Sequence, residues 1–314
     1  MFENVPYAMT QAAYADLRAA VERVAAGGPV AALSFGSRLP PKASANHVAI
    51  VPVTGVLMKN PTDWQRKLGA TSTVDIHEQF EHAMADPDTH AILLHTDSPG
   101  GTVDGAHALA EHILNSRNRG KQIHAFADGM AGSAAYWVAS SAHKVWAATP
   151  STHVGSIGVI AGHVDRSAAL GAAGLKVTEL VSGKYKGAGS PNASLSDDHR
   201  NYMQAQVDEL HRQFAGHVVR ARGLPASELP HVTDGRIFLG HEAVKRGLAD
   251  GVKTFGEVLA GLTSHAATTR APKPPAVQHD VAARARVWAI AEEKRTGRRV
   301  TALESINHIL GLGV

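Results

Sequence analysis

The sequence predicts an α/β domain with a mainly parallel sheet flanked by helices. Strand-like and helix-like runs alternate from residue 48 to residue 148, as they do when each strand is returned by a crossover helix. Two segments with turn residues, Asp97-Ser98-Pro99-Gly100-Gly101 and Asp128 to Ser133, each follow a strand-like run, where such sheets build their sites. The chain has 314 residues, 44% of them hydrophobic and 19% charged, enough to bury a sizeable core.

Taken in order, residues 8–26 place Tyr14, Leu17, Val21 and Val24 at helical spacing and are followed by a Gly-, Pro- and Ser-rich stretch. This reads as an N-terminal helix and linker over 1–46. VAIVPVTGVL (48–57) reads as a strand, 74–84 as a helix and AILLHTD (91–97) as a strand. A helix over 103–117 would bury Val103, Ala106, Leu109, Ala110, Ile113 and Leu114 on one face. A strand at 122–127, a buried helix after Ser133 and a strand at 144–148 continue the pattern. The compact domain is expected over 47–262, with a Pro-rich linker at 263–280 and a basic helical tail at 281–314. Within the tail, Thr301 to Glu304 forms a capping-box pattern opening a short last helix.

Charge and composition exclude several functions. The net charge of +3 lies wholly in the tail, where Arg284, Arg286, Lys294, Arg295, Arg298 and Arg299 face Glu292, Glu293 and Glu304. Such a tail can bind nucleic acid or an acidic protein surface, but it reads first as a solvated face, so no nucleic-acid partner is expected. With no cysteine there is no disulfide framework, thiolate metal site or cysteine nucleophile. No stretch has the roughly 18 to 20 apolar residues of a membrane span, and the N-terminus lacks a secretory pattern. The expected location is the cytoplasm.

The motif that demands explanation is ADGMAGSAAYWVAS (127–140), in which Ser133 stands between a glycine turn and an apolar run. Serine there could simply cap the helix through its hydroxyl, or it could be a nucleophile; the stretch alone leaves both open. Gly100-Gly101 could let backbone N–H groups approach a developing oxyanion, or could be a tight turn without a ligand. Among 19 histidines, His77 and His82 are five residues apart and fail the i, i+4 spacing of a helical zinc site. A Ser-His-Asp triad stays open, because its partners can come from anywhere in the chain.

DSPGG, GMAGSAAYW, THVGSIGVI (152–160), VSGKYKGAGSP (181–191) and DGRIFLGHEAVKRGLAD (234–250), in that order, resemble the S49 peptidase family. That family comprises the signal peptide peptidase A group and its phage capsid-maturation relatives. The resemblance covers roughly residues 48–255 and implies a ClpP/crotonase-like fold. It implies Ser133 as nucleophile and Lys186 as general base, Gly100 and Gly101 with the Ala134 N–H as oxyanion donors, and Ser156 as the hydroxyl that orients the lysine. Lys184, two residues from Lys186, would share its face on a strand, and only the Tyr-Lys context favours Lys186. A free lysine, with a pKa of about 10.4, is almost wholly protonated at neutral pH, so such a base needs surroundings that destabilise the ammonium.

The resemblance further implies a peptide or protein substrate, no cofactor and no metal. It also implies a ring-shaped homo-oligomer, for example an octamer, in which one subunit's serine meets its neighbour's lysine. This sequence has Ser133-Ala134-Ala135-Tyr136 where the family usually has Ser-Gly-Gly-Tyr, which puts the size of the substrate pocket in question. It also shows no membrane anchor, which turns the expected substrate away from the membrane and suits a capsid or scaffold maturation protease. The alternative is a crotonase-like acyl-binding or interaction domain without peptidase activity.

Overall fold

A computed structural model describes residues 7–26, 44–45 and 47–269. The linker stretch 27–43, the greater part of the Pro-rich linker and the basic tail with its last helix lie outside the described residues. The chain divides into two compact units, Met1–Ala266 and Ala267–Val314, and the sheet belongs to the first.

The chain begins with β1 (Tyr7–Met9) and α1 (Gln11–Ala25), then β2 (Ser44–Ala45) and the long β3 (Val48–Met58). A short α2 (Asp63–Lys67) is fixed by a reciprocal cap between Thr62 and Gln65. After β4 (Ala70–Ser72), the Ser72 hydroxyl accepts the Asp75 N–H and opens α3 (Thr73–Ala85). Next come β5 (Ala91–Thr102), α4 (Val103–Asn115), β6 (Gln122–Gly132), α5 (Ala134–Ser140) and β7 (Lys144–Ala147). The remainder comprises β8 (His153–Gly155), α6 (Ser167–Ala172), α7 (Asp197–Arg222), α8 (Leu229–Val232), β9 (Ile237–Leu239), α9 (Gly240–Lys245), β10 (Gly251–Val252) and α10 (Phe255–Thr269).

The sheet runs β10-β7-β6-β5-β3-β2 and is parallel from β10 to β3. Alternation along β5 decides what covers each face. Ile92 and Leu94 join α3, α4, α5 and α7 in the main core, while Ala91 and Leu93 join Val258 and Leu262 of α10 on the other face. The expected α/β architecture is therefore the observed one.

Two differences from the sequence reading bear on the site. First, Asp97–Gly101 and Asp128–Gly132 are extensions of β5 and β6 rather than free loops. They stay extended past a register shift after Thr96 because each finds strand partners: β3 and β1 for Gly100 and Gly101, β8 for Met130 to Gly132. Second, the helix expected directly behind the glycine pair is interrupted at Asp104 (ψ 126°) and Gly105 (φ 89°), which sets its regular N-terminus apart from Gly101.

Candidate functional site

Ser133 stands where β6 turns into α5, at φ 52° and ψ −119°. A non-glycine residue held there stores about 1–3 kcal/mol and persists only when its surroundings over-determine it. Those surroundings are evident. Its N–H donates to the Gly155 carbonyl at 2.7 Å and its carbonyl accepts the Trp137 N–H at 2.8 Å. Every residue of α5 is buried, Trp137 stacks on Phe214 at 4.3 Å, and the Tyr136 hydroxyl donates to the Leu248 carbonyl at 2.8 Å. The helix cannot shift to relieve the turn.

The Ser133 hydroxyl makes no capping hydrogen bond, so the capping role open to it in the sequence is not realised. Its Oγ points instead towards the Gly158 carbonyl, at 3.4 Å. A strained serine at a strand-to-helix turn, whose hydroxyl is not spent on capping its helix and holds only a long bond to the Gly158 carbonyl, has the geometry of a nucleophile elbow.

Gly100 lies directly against this turn, and Gly101 against β3. A Cβ on Gly100, whose φ is 104°, would come within 3.0 Å of the Ala134 nitrogen, and one on Gly101 would overlap the backbone of Leu57. Glycine is therefore required at both positions by close approach. Ser98, which no sequence pattern singles out, sets this loop: its hydroxyl donates to the Gly55 carbonyl at 2.5 Å and accepts the Gly100 N–H at 3.2 Å. With the Gly100 N–H so occupied and α4 interrupted, the first-turn N–H groups of α5 are donors aimed at the site that lack partners within their own helix.

Ser156 lies beside Ser133. Gly132 pairs with Gly155 in the β6–β8 ladder, so the two serines follow one register step later. Ser156 also has positive φ, 55°, and its N–H donates to the Arg236 carbonyl at 2.7 Å, which links the site to the segment before β9.

The structure does not bring Lys186 to this cluster within one chain. Residues 171–186 are all exposed, and Lys186 lies in a turn closed by its N–H to the Gly183 carbonyl at 3.1 Å. This segment is not a strand, so Lys184 and Lys186 do not share a face by strand alternation, and their partners separate them. Lys184 pairs with Asp198 at 2.7 Å, and the hydrogen bond to that carboxylate raises its pKa and holds it as an ammonium.

Two other arrangements resemble acid–histidine machinery. His95 Nε2 lies 3.1 Å from Asp128 Oδ2, but its ring packs against Phe126 and Phe255, on the sheet face opposite α5. Ser141, His217 and Glu111 form a hydrogen-bonded chain, with 2.8 Å from Ser141 Oγ to Nε2 and 2.8 Å from Nδ1 to Oε1. Ser141 and His217 are wholly buried, and the chain ties α5 to α4 and α7. Among the described residues no group of His, Cys, Asp and Glu could hold a metal ion.

Residues 115–269 match the model of peptidase family S49. The chain is 35% identical over 205 residues to capsid assembly protease C of Escherichia phage lambda, covering 65% of this chain and 46% of that protein. It is 33% identical over 205 residues to head-tail preconnector protein GP5 of Enterobacteria phage P21, covering 65% of this chain and 40% of that one. It thus spans less than half the length of either phage relative. Among solved structures, a ClpP1 mutant from Listeria monocytogenes is similar with a TM-score of 0.42 and 14% identity, over 67% of this chain and 94% of that one. The matched segment contains the Ser133 turn, Ser156, Lys186 and the closing segment, and over it this chain is similar to the proteases of peptidase family S49.

Proposed function

We propose that the protein is a serine endopeptidase in which Ser133 is the nucleophile and Lys186 the general base. The observation that carries the reading is the strained Ser133 turn, whose hydroxyl is left free by α5 and whose neighbour Ala134 offers an N–H at the helix start. Ser133 Oγ attacks the scissile carbonyl carbon and its proton passes to Lys186 Nζ. The oxyanion is met by the Ala134 N–H, against which Gly100 packs. The intermediate collapses as the C–N bond breaks, and the leaving amine takes the proton from Lys186. Water then attacks the acyl-enzyme with Lys186 as base, releasing a carboxylate product and restoring Ser133.

Lys186 reaches Ser133 from a neighbouring subunit in this reading. The segment that carries it is exposed throughout and displays Leu175, Val177, Leu180 and Val181, with Leu180 94% exposed. Such an apolar arm suits burial against a second copy. Each subunit that gives its lysine to the next and receives one in turn makes a head-to-tail contact, which closes into a ring. The names of the phage relatives, a capsid assembly protease and a head-tail preconnector protein, support a role in capsid assembly. No helix among the described residues is long and apolar enough to cross a membrane. The test is labelling by a serine-directed fluorophosphonate. Modification of Ser133, absent in Ser133→Ala, supports a peptidase, whereas an unlabelled protein favours the acyl-binding or interaction domain.

A further inference from the structure

Tyr7–Met9, short and apolar, lie just ahead of α1, yet they are among the most buried residues of the protein: Tyr7 is 1% exposed, Ala8 0% and Met9 4%. The strand they form is antiparallel to the glycine loop itself, with Tyr7 opposite Thr102, Ala8 opposite Gly101 and Met9 opposite Gly100. Its other edge is also paired. The Tyr7 N–H donates to the Ile160 carbonyl and the Ile160 N–H to the Tyr7 carbonyl, both at 2.8 Å. The Thr10 N–H donates to the Pro99 carbonyl at 2.9 Å, and the chain then leaves as α1.

The two walls that hold this strand also frame Ser133. One wall is Gly100–Thr102, whose Gly100 abuts both Met9 Cα and the Ala134 nitrogen: a Cβ there would lie 2.9 Å from the first and 3.0 Å from the second. The other wall runs from Ser156, next to Ser133, through Gly158, whose carbonyl faces Ser133 Oγ, to Ile160. An extended peptide laid between these walls gains main-chain hydrogen bonds on both edges, as in β-strand addition, and passes the nucleophile. Tyr7–Thr10 already does so.

We infer that the groove between Gly100–Thr102 and Gly158–Ile160 binds an extended peptide, and that residues 7–10 of the chain itself occupy it as an internal substrate strand. The occupant also defines the side chains the groove accepts. Ala8 is wholly buried in the main core, whereas Tyr7 and Met9 face a second apolar cluster with Leu17, Val56 and Ile160. The groove therefore selects a small residue at the Ala8 position, flanked by larger apolar ones. A competing peptide binds only in the fraction of molecules from which residues 7–10 have withdrawn, and its apparent affinity is lowered by that fraction.

The inference deepens the reading of Ser133 as nucleophile, and its test separates the two by measuring binding in a protein that cannot react. In a Ser133→Ala background, Ala8→Glu buries a carboxylate where none is tolerated and expels the strand. A second protein lacking residues 1–10 does the same without a buried charge. The probe is a fluorescein-labelled synthetic peptide with the sequence of residues 5–12, followed by anisotropy. Both proteins should bind it at least about tenfold tighter than the Ser133→Ala parent, the gain expected if the strand withdraws in about one molecule in ten or fewer. The same peptide with leucine at the Ala8 position should bind more weakly. Equal binding by parent and variants, or no binding by any of them, overturns the inference. If binding improves but fluorophosphonate never labels Ser133 in the otherwise native chain, the groove and its occupant stand and the nucleophile assignment falls.

Discussion

Ser133 and Ser156 share a backbone strain, at φ 52° and 55°, one step beyond the Gly132–Gly155 pair that joins β6 to β8. The Ser133 N–H is fastened to the Gly155 carbonyl, so the two turns constrain each other. Strain at two adjacent residues with chemically useful hydroxyls is a cost that the fold bears for position. Relieving it should stabilise the protein and silence it. Ser133→Gly, free to adopt positive φ, is expected to gain about 1 kcal/mol in denaturant unfolding while losing all hydrolysis. Ser133→Ala should also be inactive, with the strain and the fold retained. Hydrolysis by either purified variant would remove Ser133 from the mechanism.

Lys184 and Lys186 should separate cleanly on substitution. Lys184 is committed to Asp198 on the surface, where an exposed pair contributes little stability, so Lys184→Ala is expected to fold and retain most of its activity. Lys186→Arg should be inactive, because a guanidinium stays protonated and cannot accept the serine proton. Steady-state rates of the two variants on one peptide substrate settle the assignment. Activity lost in Lys184→Ala and kept in Lys186→Arg would reverse it.

The exposed segment that carries Lys186 predicts complementation. Ser133→Ala and Lys186→Ala should each be inactive alone, and co-assembly should restore part of the activity, because some interfaces then pair an intact serine with an intact lysine. Mixed assemblies can be confirmed by pull-down of differently tagged subunits. If they form without activity, the two groups act within one chain.

Tyr136 is expected to matter for stability and little for chemistry. Its hydroxyl is wholly buried and donates to the Leu248 carbonyl, which joins α5 to the closing segment. Tyr136→Phe leaves that carbonyl without the hydroxyl and should cost about 1–3 kcal/mol in unfolding free energy. The rate of Ser133 labelling under native conditions should hardly change. A large fall in that rate would show that the α5 turn depends on this bond for its geometry.

Acid should weaken the fold through buried histidines. Burial, with nearby His143 as the next cause, pushes His124 down to about 4, and its Nδ1 accepts the Trp146 indole N–H at 3.2 Å. Its folded pKa lies below the unfolded value of about 6.5, so on acidification the unfolded chain takes up the proton first. The stability His124 contributes is complete above that unfolded value and is lost as pH falls towards about 4. Burial shifts His217 in the same direction, against the opposing pull of Glu111. Thermal midpoints should therefore fall through this range, and His124→Gln should flatten the decline. An unchanged slope in that variant would move the effect to other groups.

The sequence by itself determined the parallel sheet, its helices and the candidate nucleophile. These rest on local signals: a continuous apolar run along 91–94, the helical face of Ala106, Leu109, Ala110 and Ile113, and a serine between Gly132 and an apolar run. Only the tertiary structure decided that Ser133 is strained rather than capping, that Ser98 sets the glycine loop, and that Asp198 singles out Lys184. It alone placed Tyr7–Met9 between Gly100–Thr102 and Ile160. Three residues carry too short a pattern to announce a strand, and pairing across some ninety residues of chain leaves no local mark on either partner, because β-pairing is a non-local interaction. Backbone strain is equally silent in sequence, since the rest of the fold imposes it on a residue that by itself prefers another conformation.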